Sequence, residues 1–166
     1  MHNLEIRNFA EHDVEGFHAC LDAVARERRY LSILRAPSIE RTRIWLTKGI
    51  EDKDIRLILL HNSRIIGWCD IEGNDHEGFS HSGKLGIGLL REYRGLGLGS
   101  KLLNKTLITA IERGLERVEL DVYASNHNAI NLYKNFNFKV EGQKRRARKL
   151  NGVYDDIIMM AIVFDE

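Results

Sequence analysis

The sequence is poor in proline and cysteine and has almost no excess charge. It has 1 Pro and 2 Cys among 166 residues, and 25 Lys and Arg residues against 24 Asp and Glu residues give a formal net charge of +1. With 30% of its residues charged, the chain is neither collagen-like nor of low complexity. Proteins that bind nucleic acid or anionic membranes over their whole surface usually carry a strong basic excess. The near-neutral balance therefore argues against that class and leaves open only a local patch.

Long apolar runs are absent as well. No run approaches the roughly 20 apolar residues that cross a bilayer, and Ile157–Phe164 has only the length of a strand. The segment Met1–Arg7 lacks the basic and apolar regions of a secretion signal. Cys20 and Cys69 are far apart in no metal-like spacing, so we expect two reduced core thiols. These features predict one soluble cytoplasmic domain, residues 1–166, with no membrane segment and no metal.

Hydrophobic periodicity predicts the element order β α α β β β α β α β β. The alternation of apolar and polar residues over Leu4–Phe9 indicates the first strand. Two runs rich in β-branched residues, Ile55–Leu60 and Ile65–Ile71, flank a polar turn and predict an antiparallel hairpin. The pair Asn151-Gly152 is a strong signal for a second hairpin near the C-terminus.

Three glycines at alternate positions, Gly95, Gly97 and Gly99, lie between a predicted strand and a predicted helix. Glycine lets the backbone approach a ligand, and a helix N-terminus offers N–H groups at its positive end, so the segment suits phosphate binding. A glycine-rich turn also occurs for packing reasons alone. The P-loop pattern fits in no register, and a dinucleotide-binding pattern would need its third glycine at Ser100 or Leu102 and more parallel βαβ units than follow.

Two motifs together resemble the GNAT superfamily of N-acetyltransferases. The pattern Arg94-x-x-Gly97-x-Gly99 after a strand is similar to the acyl-CoA-binding motif of that family. Downstream, the family pattern Asn-x-x-Ala-x-x-Leu-Tyr-x-x-x-Gly-Phe is matched in every spacing by Asn126, Ala129, Leu132, Tyr133, Asn137 and Phe138. Asn137 replaces the usual glycine, and asparagine tolerates a left-handed backbone, so we expect the turn to be retained.

The resemblance covers nearly the whole chain and implies a mixed α/β fold. In that fold a mostly antiparallel, twisted sheet of about six or seven strands splays between its fourth and fifth strands and carries about four helices. The implied activity is direct transfer of an acetyl group from acetyl-CoA, as co-substrate, to a primary amine in a ternary complex. Gly67–Ile71, Phe79–His81 and Asp155-Asp156 look most like bacterial members grouped with amino-acid and ribosomal-protein acetyltransferases. The acceptor is then a small-molecule amine or a peptide N-terminus, and a homodimer is left open.

The resemblance also implies how the cofactor is held. Its pyrophosphate would lie on the amides of Leu96–Ser100 at the helix terminus, with Arg94 contacting a phosphate. Its pantetheine arm would pair with the strand as an added pseudo-strand, and a backbone N–H near Leu89 would polarise the thioester carbonyl. The predicted cofactor-binding residues are Ile87, Gly88, Leu89, Arg94, Gly95, Leu96, Gly97, Leu98, Gly99, Ser100 and Asn126.

Acyl transfer to an amine needs a base for the amine and an acid for the leaving thiolate. Tyr133 is the predicted acid, because a phenol with a pKa of about 10 keeps its proton at neutral pH. His81, at the start of the central strand, is the predicted base or substrate contact, since histidine side chains commonly act as bases near neutral pH. Glu72, Asp70 and Glu119, or a chain of water molecules, are the alternatives.

A basic cluster, Lys144–Lys149, holds five basic residues in six. It could bind an acidic partner, RNA or the 3′-phosphate of CoA, or it could be a solvated hairpin arm, which we favour. A non-enzymatic RNA- or ribosome-binding module that uses this hairpin is the alternative to an enzyme. Four arginines before the second predicted helix could recognise a carboxylate or simply be exposed: Arg26, Arg28, Arg29 and Arg35.

Overall fold

The computed structural model describes residues 3–51 and 54–164. In these ranges the chain forms seven strands and four α-helices. The strands are β1 Leu4–Asn8, β2 Ile55–His61, β3 Arg64–Gly73, β4 Ser82–Leu89, β5 Arg117–Tyr123, β6 Lys139–Leu150 and β7 Val153–Val163. The helices are α1 Val14–Arg26, α2 Ile39–Glu51, α3 Leu98–Glu112 and α4 His127–Asn135. The predicted element order is confirmed.

The strands form one sheet in the order β1-β2-β3-β4-β5-β7-β6. Every neighbouring pair is antiparallel except β4 and β5, which run parallel. The β4–β5 ladder extends only from Ser82 paired with Arg117 to Lys84 paired with Glu119. Beyond these residues the two strands separate. This opening, the β4–β5 gap, confirms the predicted splay between the fourth and fifth strands.

The two faces of the sheet carry different helices, because side chains alternate along each strand. On one face, here the α1/α2 face, Phe17 of α1 packs against Trp68 of β3 with 5.5 Å between ring centroids. On the other, the α3 face, Cys69 of β3 lies near Thr106 of α3. Helix α3 buries a set of side chains at helical spacing, which explains why this amphipathic sequence forms a helix there: Leu98, Leu102, Leu103, Thr106, Leu107 and Ala110.

Both predicted hairpins are present. Asn151 and Gly152 have φ values of 51° and 79°, as the tight turn between β6 and β7 requires. The β2–β3 turn uses Asn62 and Ser63, also at positive φ. The β6–β7 ladder is interrupted between Lys144 and Arg148, where the intervening basic residues bulge out of register.

Candidate active site

The open part of β4 presents unpaired backbone groups to the β4–β5 gap. The Leu90 N–H donates to the Ile66 carbonyl at 2.9 Å, and the direction of inter-strand bonds alternates along an antiparallel pair. The backbone groups of Ile87 and Leu89 therefore point away from β3. The His81 carbonyl, with the same parity, accepts from the start of β5 at the closed end of the gap. The N–H groups of Ile87 and Leu89 are thus available to a ligand in the gap.

The glycine-rich loop leads from β4 into α3 with two residues in the left-handed region. Gly95 and Gly97 both have φ of 74°, and a Cβ atom added to either would meet nothing within 4 Å, so glycine is required by the backbone angle and not by crowding. Gly97 precedes the first helical residue, and the Lys101 N–H donates to its carbonyl. The N–H groups of residues 98–100 therefore lie at the positive end of α3 without helical partners.

The loop and α4 meet at Gly99. A Cβ atom placed there would lie 3.7 Å from the Leu132 side chain of α4 and 3.8 Å from that of Leu89 in β4. The two sequence motifs are thus brought together around the open end of the gap. Leu96 lies at the tip of the loop with 51% of its surface exposed.

Arg94 does not offer a free guanidinium to the helix terminus. It donates to Glu27 through Nη1 at 2.8 Å and Nη2 at 2.5 Å, and to the Leu89 carbonyl through Nε at 2.9 Å and Nη2 at 2.6 Å. Its guanidinium also lies 4.7 Å from the centre of the Tyr30 ring. In this geometry the guanidinium is engaged by Glu27 and the Leu89 carbonyl, and its phosphate contact stays a prediction. The side chain instead ties the end of β4 to the segment after α1.

Helix α4 positions Tyr133 under the gap. The Asn126 side chain caps the helix by accepting from the Ala129 N–H at 3.3 Å. Tyr133 is buried, and its ring lies 5.7 Å from that of Phe138. Between them Asn137 has φ of 67°. The prediction that Asn137 keeps the left-handed turn is confirmed.

The Tyr133 hydroxyl belongs to the α3 face of the gap. Burial raises the pKa of Tyr133 above its usual range, and the nearby Cys69 thiol adds to this effect. Cys69 is paired in register with Ile87, one of the two strand residues with an open N–H. A protonated phenol is therefore held beside the middle of β4.

Asp70 lies on the opposite, α1/α2 face at the same level of the strand. It pairs in register with Gly86, and a Cβ atom on Gly86 would lie 3.1 Å from Asp70 Oδ1. The carboxyl group thus leans over β4 toward the gap, where only 9% of the residue is exposed. Burial raises the pKa of Asp70 to about 7; the Glu72 carboxylate adds to the increase, and the Arg56 guanidinium opposes it.

Aromatic side chains form the wall behind Asp70. The Trp68 ring covers Gly88, where any side chain would collide with it. Phe17 stacks on Trp45 with 5.7 Å between centroids, and the Trp45 Nε1–H donates to Glu72 at 2.5 Å. The two glycines of β4 on this face therefore leave room above the strand for the side chains of β3.

The comparisons with known proteins agree with this architecture. The sequence model of the acetyltransferase (GNAT) family matches residues 20–138. The chain belongs to the GNAT acetyltransferase family. The match includes β4, the glycine-rich loop and α4, which together frame the gap.

Individual relatives match this chain over nearly its full length. The L-amino acid N-acetyltransferase AaaT of Escherichia coli is 26% identical and covers 98% of this chain and 99% of its own. A GNAT acetyltransferase structure from Streptococcus pneumoniae is 28% identical, with a TM-score of 0.91 over 98% of this chain and all of its own. The structure of YncA, a Salmonella typhimurium protein with its cofactor acetyl-CoA, has a TM-score of 0.91 at 19% identity, covering 99% of this chain and 95% of its own.

The structure does not bring His81 to the centre of this GNAT site. His81 is exposed and lies just before β4, at the closed end of the gap. Ile87 is six positions farther along the chain, which is about 20 Å in a strand. Glu119 lies within the closed ladder and pairs with Arg117 at 3.2 Å. Of the carboxylates considered from the sequence, Asp70 is the one that the fold buries against the open part of β4.

Both cysteines are free and buried, as expected. Burial raises the pKa of Cys20 to about 12 and raises that of Cys69 as well, so neither thiol forms a thiolate readily at neutral pH. Over residues 3–51 and 54–164, no group of three or more His, Cys, Asp and Glu side chains is placed to hold a metal ion. No helix in this part of the chain is long and apolar enough to cross a membrane.

Proposed function

We propose that the protein transfers the acetyl group of acetyl-CoA directly to the primary amine of a small, amino-acid-like acceptor in a ternary complex. One observation carries the proposal. At the level of Ile87, the β4–β5 gap has a protonated phenol, Tyr133, on one face and a carboxyl group with a pKa of about 7, Asp70, on the other. These are an acid and a base on opposite sides of an open N–H donor.

The residues around the gap fit acetyl-CoA. The left-handed turn at Gly95 and Gly97 and the unpaired N–H groups of residues 98–100 form a cradle for the pyrophosphate. The Leu89 N–H would bond to a pantetheine carbonyl, while the Ile87 N–H, nearer Tyr133, would bond to the thioester oxygen. For that last role the family resemblance implies a donor near Leu89. Asn126 holds α4 through its capping bond and leaves its amide N–H₂ group for the pantetheine arm.

The proposed proton path uses the two buried groups. Asp70, ionised above pH 7, accepts a proton from the acceptor ammonium group, directly or through one water molecule. The Ile87 N–H stabilises the charge that develops on the carbonyl oxygen as the N–C bond forms. As the C–S bond breaks, Tyr133 donates its proton to the sulfur. It is then reprotonated from the second amine proton or from solvent, so that the products are the N-acetyl compound and CoA.

The relative AaaT supports an amino-acid-like acceptor, since it is named for that activity and matches over nearly the full length. A peptide N-terminus stays an alternative prediction. The RNA-binding alternative is less well supported by the hairpin itself. Lys144 contacts Asp121 at 3.5 Å, and the Arg146 and Lys149 cations lie 4.8 and 5.0 Å from the Tyr154 ring. Several cations of the cluster are thus engaged within the protein.

Calorimetric titration with acetyl-CoA, followed by a thiol-release assay over a panel of amines and peptides, tests the proposal. We expect binding and CoA release, and we expect Gly97→Glu to weaken binding because it adds both a side chain and a negative charge at the cradle. Gly152→Glu is the matched control, since a side chain at Gly152 would meet a similar left-handed backbone angle, and Gly152 lies at the hairpin tip. Absence of acetyl-CoA binding at millimolar concentration by the folded protein would overturn the proposal.

A further inference from the structure

One arginine of the β6–β7 hairpin reaches over the mouth of the gap. The guanidinium of Arg148 lies 4.5 Å from the centre of the Tyr123 ring, at the end of β5. Its Nη2 donates to the carbonyl of Arg28, in the segment after α1, at 2.6 Å. The side chain thus bridges two parts of the chain that are 120 residues apart.

Arg148 is half-buried and has no carboxylate partner among the described residues. The residue opposite it on β7, Asp155, instead accepts from the Ser125 hydroxyl at 2.5 Å and from the Ser125 N–H at 3.3 Å. By contrast, Lys144 of the same strand pairs with Asp121. The Arg148 guanidinium is thus partly removed from water, stacked on an aromatic ring and bonded to one neutral carbonyl. It retains N–H donors in the planar, two-pronged arrangement that matches a carboxylate.

The position of Arg148 relative to Asp70 suggests what it binds. Arg148 and Asp70 both lie on the α1/α2 face. Asp121 of β5 is on that face, because it pairs with Lys84 of β4 and with Lys144 of β6. Tyr123, under Arg148, is two residues beyond Asp121 on β5, or about 7 Å nearer the open end. On this face β4 itself contributes only Gly86 and Gly88, and the Trp68 ring of β3 covers Gly88.

We propose that Arg148 binds the carboxylate of an α-amino-acid acceptor and so determines substrate specificity, exchanging its bond to the Arg28 carbonyl for a paired bond to the acceptor. The acceptor amine then faces Asp70. This inference rests on the proposed function and adds to it the chemical class of the acceptor: a carboxylate next to the reacting amine.

The test compares each free L-amino acid with its amide, which lacks the negative charge, in thiol-release kinetics. We expect the wild type to favour the acid. In Arg148→Gln, kcat/KM for the acid should fall about 10- to 100-fold while that for the amide changes little, as expected for loss of a charged hydrogen-bonded pair. Arg148→Lys should recover part of the preference, because lysine keeps the positive charge but lacks the paired N–H donors of a guanidinium. Arg145→Gln, an exposed cation of the same bulge, is the matched control.

The ratio of acid to amide within each variant does not depend on the fraction of folded enzyme, so a variant that folds poorly still gives an answer. Equal losses for acid and amide, or an unchanged ratio, would overturn the role of Arg148. A wild type that acetylates amides and simple amines as well as acids would overturn it while leaving the proposed function intact. No turnover with any acceptor, together with no acetyl-CoA binding, would overturn both.

Discussion

Replacing Asp70 by asparagine should make the protein more stable and less active at the same time. The buried carboxyl group has a pKa of about 7 in the folded state, against about 3.9 for an unfolded aspartate. Between these pH values the folded state binds more protons than the unfolded state. The stability contributed by the raised pKa is therefore fully present below about pH 4 and is lost as the pH rises to about 7.

The magnitude follows from the same two pKa values. Each pH unit of difference is worth about 1.4 kcal/mol, so ionising Asp70 costs the folded state on the order of 4 kcal/mol above pH 7. The amide of the Asp70→Asn variant would carry no charge at any pH. The variant should gain on the wild type by about 3 kcal/mol between pH 5 and pH 8, and its melting temperature at pH 8 should rise by as much as roughly 10 °C.

Urea unfolding of both proteins at pH 5, 6, 7 and 8 measures this difference, in which the titration of all other groups largely cancels. Asp75→Asn, at an exposed loop carboxylate, is the control and should show no such trend. Activity at pH 8 should fall about 100-fold or more in Asp70→Asn if the group is the base. A stability difference that stays constant across this pH range would refute the assignment of a raised pKa, whatever happens to activity.

Three further predictions follow from the site. Tyr133→Phe should lower kcat about 100-fold or more with little change in the Kd for acetyl-CoA, measured by calorimetry, and an unchanged kcat would remove Tyr133 as the acid. Arg94→Gln should lower the free energy of unfolding by about 1–3 kcal/mol and weaken acetyl-CoA binding. The reason is that Glu27 loses its ion-pair partner and the Leu89 carbonyl, at the end of β4, loses its hydrogen bonds to the guanidinium. Unchanged urea unfolding would contradict this. His81→Ala should leave kcat within about twofold, and a large loss would restore His81 as a candidate base.

The predictions that succeeded depend on local signals. The pair Asn151-Gly152 predicts a hairpin because few other residue pairs accept two consecutive left-handed conformations. Asn137 could be assigned the same conformation for the same reason. The two GNAT motifs are short stretches with fixed spacing, and the fold brings them together at Gly99 as the resemblance implied.

What could not be predicted depends on contacts between distant segments. The partner of Arg94 is Glu27, 67 residues away, and only the folded structure shows that the guanidinium is taken. His81 is predicted at the start of the central strand, but it lies just before β4 where the parallel ladder closes, and the gap opens farther along β4. The raised pKa of Asp70 requires its burial against Gly86 across the strand pair, which no sequence spacing encodes.

Burial acts in the same direction on the two groups that face the gap, but its consequences for their proposed tasks differ. Removal from water disfavours the charged form of any acid, so it raises the pKa of both Tyr133 and Asp70. For the phenol, which is already protonated at neutral pH, the increase keeps the proton in place but makes Tyr133 a weaker acid, so in the proposed mechanism its transfer depends on the negative charge that develops on the leaving sulfur. For the carboxyl group, the increase brings the pKa from well below neutrality to about 7, where a base accepts a proton from an ammonium group most effectively. Because the sheet separates them, the proposed mechanism has one proton leaving the acceptor on the α1/α2 face while another reaches the thiolate on the α3 face.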